Sequence, residues 1–194
     1  MQVIAVPFRE GSHVATKWAD FIPIIEQLQE LHKLGYVHGD IRGFNVVFAG
    51  DKGGLIDFDF SGKPEDKKKY PPGYRRSLDD GIRKGDGDAS SRDNKMEFWH
   101  DWYALGHLIF HIFKIKHPSN AASQSVDHYK RMNEWTDMSE PPSQKKIDEL
   151  IECLRNLDRE GFTLEPNSDF QKDLDAMNKS VVTKIGATGS PLKK

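Results

Sequence analysis

Three polar side chains stand at the ends of short apolar segments in the first third of the chain: Asp40, Asn45 and Asp57. Side chains at such junctions are open to a ligand and held by the elements beside them. Phosphoryl transfer needs a set of this kind, because one carboxylate orients the attacking hydroxyl while an amide and a second carboxylate hold Mg²⁺ on the nucleotide phosphates. Asp40 suits the first role, and Asn45 with Asp57 suits the second. Oxygen ligands without a Cys or His cluster favour Mg²⁺ over zinc.

A second metal hypothesis rests on three histidines. His100, His107 and His111 fall near one face of a predicted helix, and two histidines four residues apart can bind zinc. Helix histidines packed against a core are more often simply hydrogen-bonded, and the Glu of a metalloprotease helix is missing here. We therefore rank the zinc hypothesis below the magnesium hypothesis.

Hydrophobic periodicity predicts the elements that position these residues. The fold class expected from their order is α+β, mainly helical, with a small β-hairpin at the site. The predicted elements are a strand at 3–6, a helix at 20–34 capped by Asp20 and stopped by Gly35, a hairpin from 46–48 and 55–58, a charge-rich loop at 63–95, a buried helix at 97–114, a weaker helix around 126–132, an amphipathic helix at 145–157 and a last helix capped near Ser168.

Composition narrows the class of protein. The 194 residues are 37% hydrophobic and carry 28 Lys and Arg against 30 Asp and Glu, which predicts one soluble domain and gives no basic field for nucleic acid. No apolar run approaches the roughly 20 residues of a membrane span, and residues 1–10 do not resemble an export signal. The single cysteine, Cys153, lies on the apolar face of a predicted helix as a buried, inert thiol. We expect an intracellular protein, cytoplasmic or nuclear, with no membrane or nucleic-acid partner.

Around the three polar residues the sequence resembles the protein-kinase-like superfamily. The stretch His38-Gly39-Asp40-Ile41-Arg42-Gly43-Phe44-Asn45 is similar to the catalytic loop H-R-D-L-K-x-x-N, with the Asn five residues after the Asp. Asp57-Phe58 resembles the start of D-F-G. The run Asp101-Trp102-Tyr103-Ala104-Leu105-Gly106 resembles the start of the large central helix of the C-lobe. The three motifs occur in the family's order.

The resemblance implies a kinase-like C-lobe over residues 1–182, an activation-segment-like loop at 63–95 and a flexible tail at 183–194. It implies transfer of the γ-phosphate of ATP to a hydroxyl, of Ser or Thr in a protein partner, with ATP and Mg²⁺ as cofactors. Asp40 and Arg42 would be catalytic, since Arg42 replaces a Lys that faces the transferred phosphate. Asn45 and Asp57 would hold nucleotide and metal.

Two residues would support the loop, and two others depart from the family pattern. His38 and Asp101 would be structural, with Asp101 bracing the loop backbone. Gly39 replaces an Arg that reads a phosphorylated activation loop, so control by phosphorylation is not implied. Asp59 replaces the Gly of D-F-G and is an alternative metal ligand to Asp57.

The subgroup and the activity are narrower expectations. The sequence resembles kinase-like domains of fungal and oomycete proteins, including those joined to Crinkler-type effectors. The resemblance lies in His38-Gly39-Asp40, residues 55–63 and Tyr70-Pro71. Residues 3–8 resemble the hinge strand between lobes, so we expect the N-lobe to be absent here and supplied by a longer chain or a partner. The alternative function is a weak or inactive pseudokinase that acts as a protein-interaction module.

Overall fold

A computed structural model describes residues 11–50, 52–66, 96–116, 135 and 140–187. The predicted strand at 3–6, most of the charged loop at 63–95 and the predicted helix around 126–132 lie outside these residues. The described helices and strands are α1 (Ile22–Lys33), β1 (Val46–Val47), β2 (Gly54–Leu55), α2 (Phe98–His107), β3 (Phe113–Lys116), α3 (Gln144–Arg159), β4 (Thr163–Pro166) and α4 (Ser168–Ala187). Among the described residues no helix is long and apolar enough to cross a membrane.

Helix α1 forms because its apolar residues recur on one face, and Ile24, Ile25 and Leu28 are buried there. A 3₁₀ turn, Trp18–Phe21, precedes it. The predicted cap at Asp20 is wrong in detail: the Asp20 carboxylate accepts the backbone N–H groups of Thr16 and Lys17, upstream of the turn. The N–H groups of Trp18 and Ala19 donate instead to a carboxylate on α3, described below.

The predicted hairpin is present but shorter than expected. Strands β1 and β2 pair antiparallel, with Val46 opposite Leu55 and Val47 opposite Gly54. The second strand was expected to continue through residue 58. It stops at Leu55, and Asp57 has a φ of 62°, in the left-handed region that an extended strand cannot contain.

The largest departure from the prediction lies at the end of the buried helix. The helix was expected over 97–114, but α2 is followed by a π-helical turn, Leu108–Ile112, and then by β3. Strand β3 pairs antiparallel with β4, with Phe113 opposite Pro166 and Lys116 opposite Thr163. The apolar residues up to Phe113 favour a continued helix, whereas Phe113–Lys116 alternates apolar and charged residues and pairs with β4 as a strand.

Helices α3 and α4 follow their predicted positions closely. The predicted helix at 145–157 lies within α3, which buries Ile147, Leu150 and Leu154. Cys153 is buried on the same face, as expected. Helix α4 includes residues 183–187, which were expected to belong to the flexible tail. The elements share one core, which includes Trp18, Phe21, Ile24, Ile25, Leu28, Leu55, Leu105, Leu108, Ile109, Phe113 and Leu154.

Candidate functional site

The candidate site is built on the Asp40 loop, residues 37–45, which connects α1 to the hairpin. At its start Val37 pairs with Gly62, each N–H donating to the other residue's carbonyl at 2.9 and 3.1 Å. At its end the 3₁₀ turn Gly43–Asn45 leads directly into β1. The Val37–Gly62 pair at the start of the loop and the β1–β2 pairing after its end therefore hold the chain that follows β2 beside the loop.

Asp40 and Asn45 are joined in the buried part of the loop. Each residue is only 3% exposed. The Asn45 Nδ2 donates to the Asp40 carboxylate Oδ2 at 2.6 Å and to the Asp40 carbonyl at 2.9 Å. Because these bonds use the amide nitrogen, the Asn45 Oδ1 is the side-chain oxygen that could bind a cation.

Arg42 lies at the open side of this pair. Its Nε is 3.2 Å from the Asp40 Oδ2, and its side chain is 45% exposed. An ion pair this open to solvent contributes little to stability. Its guanidinium instead brings a positive charge to the edge of the site, where an anionic ligand could meet it.

Asp101 on α2 anchors the loop immediately before Asp40. Its Oδ2 accepts the His38 N–H at 2.7 Å, and its Oδ1 accepts the Gly39 N–H at 2.9 Å. The His32 Nε2 on α1 lies 2.9 Å from the same Oδ2. Asp101 is 2% exposed. These hydrogen-bond donors compensate for the water contacts that the carboxylate loses on burial.

His38 is buried inside the loop with both ring nitrogens engaged. The Asp40 N–H donates to its Nδ1 at 3.2 Å, and its Nε2 lies 3.1 Å from the carbonyl of Ile56. Only the neutral tautomer with the proton on Nε2 satisfies both contacts. Burial lowers the pKa of His38, against the opposing effects of Asp101, the Ile56 carbonyl, Asp40 and Asp57.

Gly39 has a left-handed backbone in a confined space of the Asp40 loop. Its φ is 81°, and a Cβ there would lie 3.1 Å from the Met96 Cε and 3.2 Å from the Phe60 carbonyl oxygen. A left-handed backbone in that space favours glycine over any side chain.

Asp57 and Asp59, the two candidate metal-binding carboxylates, are both exposed. The Ile56 N–H donates to the Asn45 carbonyl at 2.9 Å and so brings Asp57 to the edge of the Asp40 loop. The Asp57 charge acts on His38, and Asp59 is not among the groups that do. Among the described residues nothing hydrogen-bonds to the Asp57 carboxylate, so no contact within them aims it at Asn45.

Metal-binding clusters of protein side chains are absent from the described part of the chain, where no group of three or more His, Cys, Asp or Glu residues could hold an ion. This finding gives the zinc hypothesis no support from His100 and His107. A cation at Asn45 and Asp57 would have two protein ligands. Mg²⁺ binds in that way, taking its other ligands from phosphate and water.

Sequence reasoning missed His32, which completes the Asp101 contacts. It follows Leu28 by one helical turn on the buried face of α1, and its ring packs edge-on against Phe98 and Trp102. A polar residue on an otherwise apolar face was the available signal, but its partner lies 69 positions away.

Comparison with known proteins finds one distant relative to report. No protein-family model matches the chain, and no solved structure matches it. The chain is similar to Crinkler effector protein 8 of Phytophthora infestans, with 25% identity over 142 residues. The match covers 73% of this chain and 22% of that protein, so the chain spans about a fifth of its relative's length. The comparison thus supports a Crinkler-like relationship for this chain.

Proposed function

We propose that the chain contains the catalytic-loop lobe of a protein-kinase-like phosphotransferase that transfers the γ-phosphate of ATP to a Ser or Thr hydroxyl. The observation that carries the proposal is the buried Asp40–Asn45 pair on a loop whose backbone is held by Asp101. A kinase-like fold would account for the contact of Asp101 with a loop 62 and 63 positions away.

The proposed roles follow from the positions of the side chains. Asp40 orients the acceptor hydroxyl and takes its proton, as the hydroxyl oxygen bonds to phosphorus and the bond from phosphorus to the ADP oxygen breaks. Asn45 Oδ1 and the Asp57 carboxylate would be the oxygens that hold Mg²⁺. Arg42 offsets the negative charge of the transferred group. When bound, ATP would supply the phosphoryl group, and Mg²⁺ would offset the negative charge of the phosphates.

The proposal requires further groups over the phosphates, a Gly-rich loop and a strand lysine. We propose that a longer chain or a partner supplies them. The short share of the Crinkler relative that is matched is compatible with a longer chain. Without that cover, one side of the nucleotide stays in water, and we expect weak nucleotide binding by this chain alone.

One observation favours the competing hypothesis, a pseudokinase that binds another protein. Asp57 is exposed and no described contact orients its carboxylate. A metal ligand without a fixed position would bind Mg²⁺ poorly, and the Asp40 loop would then be a scaffold only.

The direct test is phosphate transfer from labelled ATP with Mg²⁺ to a Ser/Thr peptide library. Asp40→Asn should lower the transfer rate by at least about 100-fold, the usual contribution of a general base. Asp66→Asn is the matched control, because Asp66 is an exposed carboxylate in a 3₁₀ turn outside the site. Equal rates for the parent and Asp40→Asn would overturn the assignment of Asp40.

A second measurement covers the case in which transfer by this chain is undetectable. Mn²⁺ with ATP should broaden the NMR resonances of Asn45 and Asp57, and Asp57→Asn should remove the effect while Asp66→Asn retains it. Absence of both transfer and broadening would reject the phosphotransferase and favour the interaction module.

A further inference from the structure

Helix α4 places an aromatic ring directly against the backbone of the Asp40 loop. A Cβ added to Gly43 would lie 2.5 Å from the Phe170 Cζ and 3.2 Å from its Cδ2, with Cε2 closer still. Phe170 is only 7% exposed. The ring therefore fills the space that any larger residue at position 43 would need.

Other contacts hold the Phe170 ring in this place. Its centroid is 5.2 Å from that of Phe44 and 6.0 Å from that of Phe113. The Asn167 carboxamide accepts the Phe170 N–H at 2.8 Å at the start of α4. Strand β4 ends one residue before Asn167 and pairs with β3, so the sheet sets where the helix begins.

Gly43 is the first residue of the turn that places Asn45. The Asn45 N–H donates to the Arg42 carbonyl at 2.9 Å, and the Asn45 carbonyl accepts the Ile56 N–H at 2.9 Å. With no side chain at position 43, nothing flexible separates the ring from this backbone. A displacement of Phe170 is therefore passed to the turn and to the Asn45 amide bonded to Asp40.

We infer that Phe170 is a positioning residue for the Asp40 loop, acting through Gly43 on the placement of Asn45 and Asp40. Helix α4 thereby becomes part of the site's support, although it contributes no group to the chemistry. The effect on catalysis rests on the proposed phosphotransferase function. The effect on the loop does not.

Hydrogen exchange measured by NMR tests the effect on the loop. Phe170→Ala should speed exchange at the Asn45 and Ile56 amides by about 10-fold more than the loss of global stability accounts for. The reason is that the loop can then open locally, without unfolding of the whole protein. Phe170→Leu, which restores part of the ring volume, should recover part of the protection. Leu174→Ala is the matched control, since Leu174 is buried one turn later on the same helix, and the three atoms nearest a Cβ at Gly43 all belong to Phe170.

In Leu174→Ala, the exchange rates of the Asn45 and Ile56 amides should change only as much as the change in global stability requires. The same behaviour in Phe170→Ala would overturn the inference. A shift of the Asn45 side-chain amide resonance in Phe170→Ala, absent in Leu174→Ala, is the expected spectroscopic signature of repositioning.

A double-mutant cycle tests the contact itself and does not depend on one variant folding well. Gly43→Ala should lower the melting temperature when Phe170 is present, because the added methyl overlaps the ring. The loss should be smaller in the Phe170→Leu and Phe170→Ala backgrounds, where the ring is gone. An equal loss of melting temperature in all backgrounds would show that the added methyl and the Phe170 ring do not overlap.

Transfer assays add the catalytic arm. Phe170→Leu should reduce kcat while leaving the KM for the peptide acceptor nearly unchanged, because the ring is buried and offers little surface to an acceptor. If the parent chain shows neither phosphate transfer nor Mn²⁺ broadening, the proposed function fails, while the exchange data and the cycle still decide the positioning role.

Discussion

The Asp40 carboxylate is bounded by neighbours from its own loop. Asn45 and Arg42 both approach its Oδ2, and the backbone N–H of Asp40 donates to the His38 Nδ1. All of these residues lie within residues 38–45. These contacts of the candidate base are local, and a short sequence motif contains them.

His38 makes a pH-dependent prediction at this scale. Its pKa in the folded protein is lowered from 6.5 by burial, so the unfolded chain binds the proton more readily. Its contribution to stability is complete above about pH 6.5 and falls as the pH drops below that value towards the lowered pKa. Urea denaturation between pH 5 and 8 should show a stability loss on acidification that is smaller in His38→Gln. Parallel pH profiles for parent and variant would contradict this expectation.

The Asp101 carboxylate connects α1, α2 and the Asp40 loop. Asp101 on α2 holds the loop backbone and meets His32 on α1, so two helices and the Asp40 loop converge on it. These contacts are formed between residues 62 to 69 positions apart. Asp101 is consequently a packing centre as well as a site residue.

Asp101→Ala should reduce the free energy of unfolding by about 3 kcal/mol, because the two backbone N–H groups are left buried without an acceptor. Denaturation by urea measures the loss. Glu149→Ala, which removes an exposed carboxylate on α3 that pairs with Lys145 at 3.8 Å, should change stability by less than about 0.5 kcal/mol. A similar small change for Asp101→Ala would argue against the anchoring role.

Strand β3 supplies a second prediction between elements. Phe113 is fully buried, and its ring centroid lies 5.4 Å from that of Phe21 and 5.7 Å from that of Phe48. Phe113→Ala should lower the free energy of unfolding by about 3–5 kcal/mol through the cavity it leaves. Leu34→Ala is the control, because Leu34 is largely exposed and its truncation should have little effect on the thermal midpoint.

Across the whole molecule, the start of the described chain is fastened to α3. The Asp158 carboxylate accepts the Trp18 N–H at 2.9 Å and the Ala19 N–H at 2.8 Å, 140 and 139 positions away. The Trp18 Nε1 donates to the Phe162 carbonyl at 3.0 Å. A distant side chain thus accepts the first two N–H groups of the 3₁₀ turn Trp18–Phe21.

Asp158→Ala should lower stability by about 1–2 kcal/mol, the usual effect of removing a helix cap. Differential scanning calorimetry on the parent and the variant provides the measurement. Asp148→Ala, on the same helix but exposed, should leave the midpoint almost unchanged. Equal midpoints for all three proteins would show that the cap contributes nothing.

Local patterns were sufficient for part of this protein. The spacing of Asp40 and Asn45, the helix that became α1, the hairpin turn and the amphipathic helix α3 were all predicted from residues within a few positions of one another. Helical periodicity and turn chemistry act over such distances, so one sequence reveals them. The Crinkler-like relationship, too, was indicated by short motifs and supported by the comparison.

Tertiary structure alone decided the features that depend on distant partners. Residues Phe113–Lys116 form a strand by pairing with β4, and the Trp18 and Ala19 N–H groups donate to the distant Asp158 carboxylate. The place of Phe170 against Gly43 likewise arises only when the sheet and α4 are assembled. Packing joins residues by proximity in space, which sequence spacing does not encode, and that is why these contacts had no local signal.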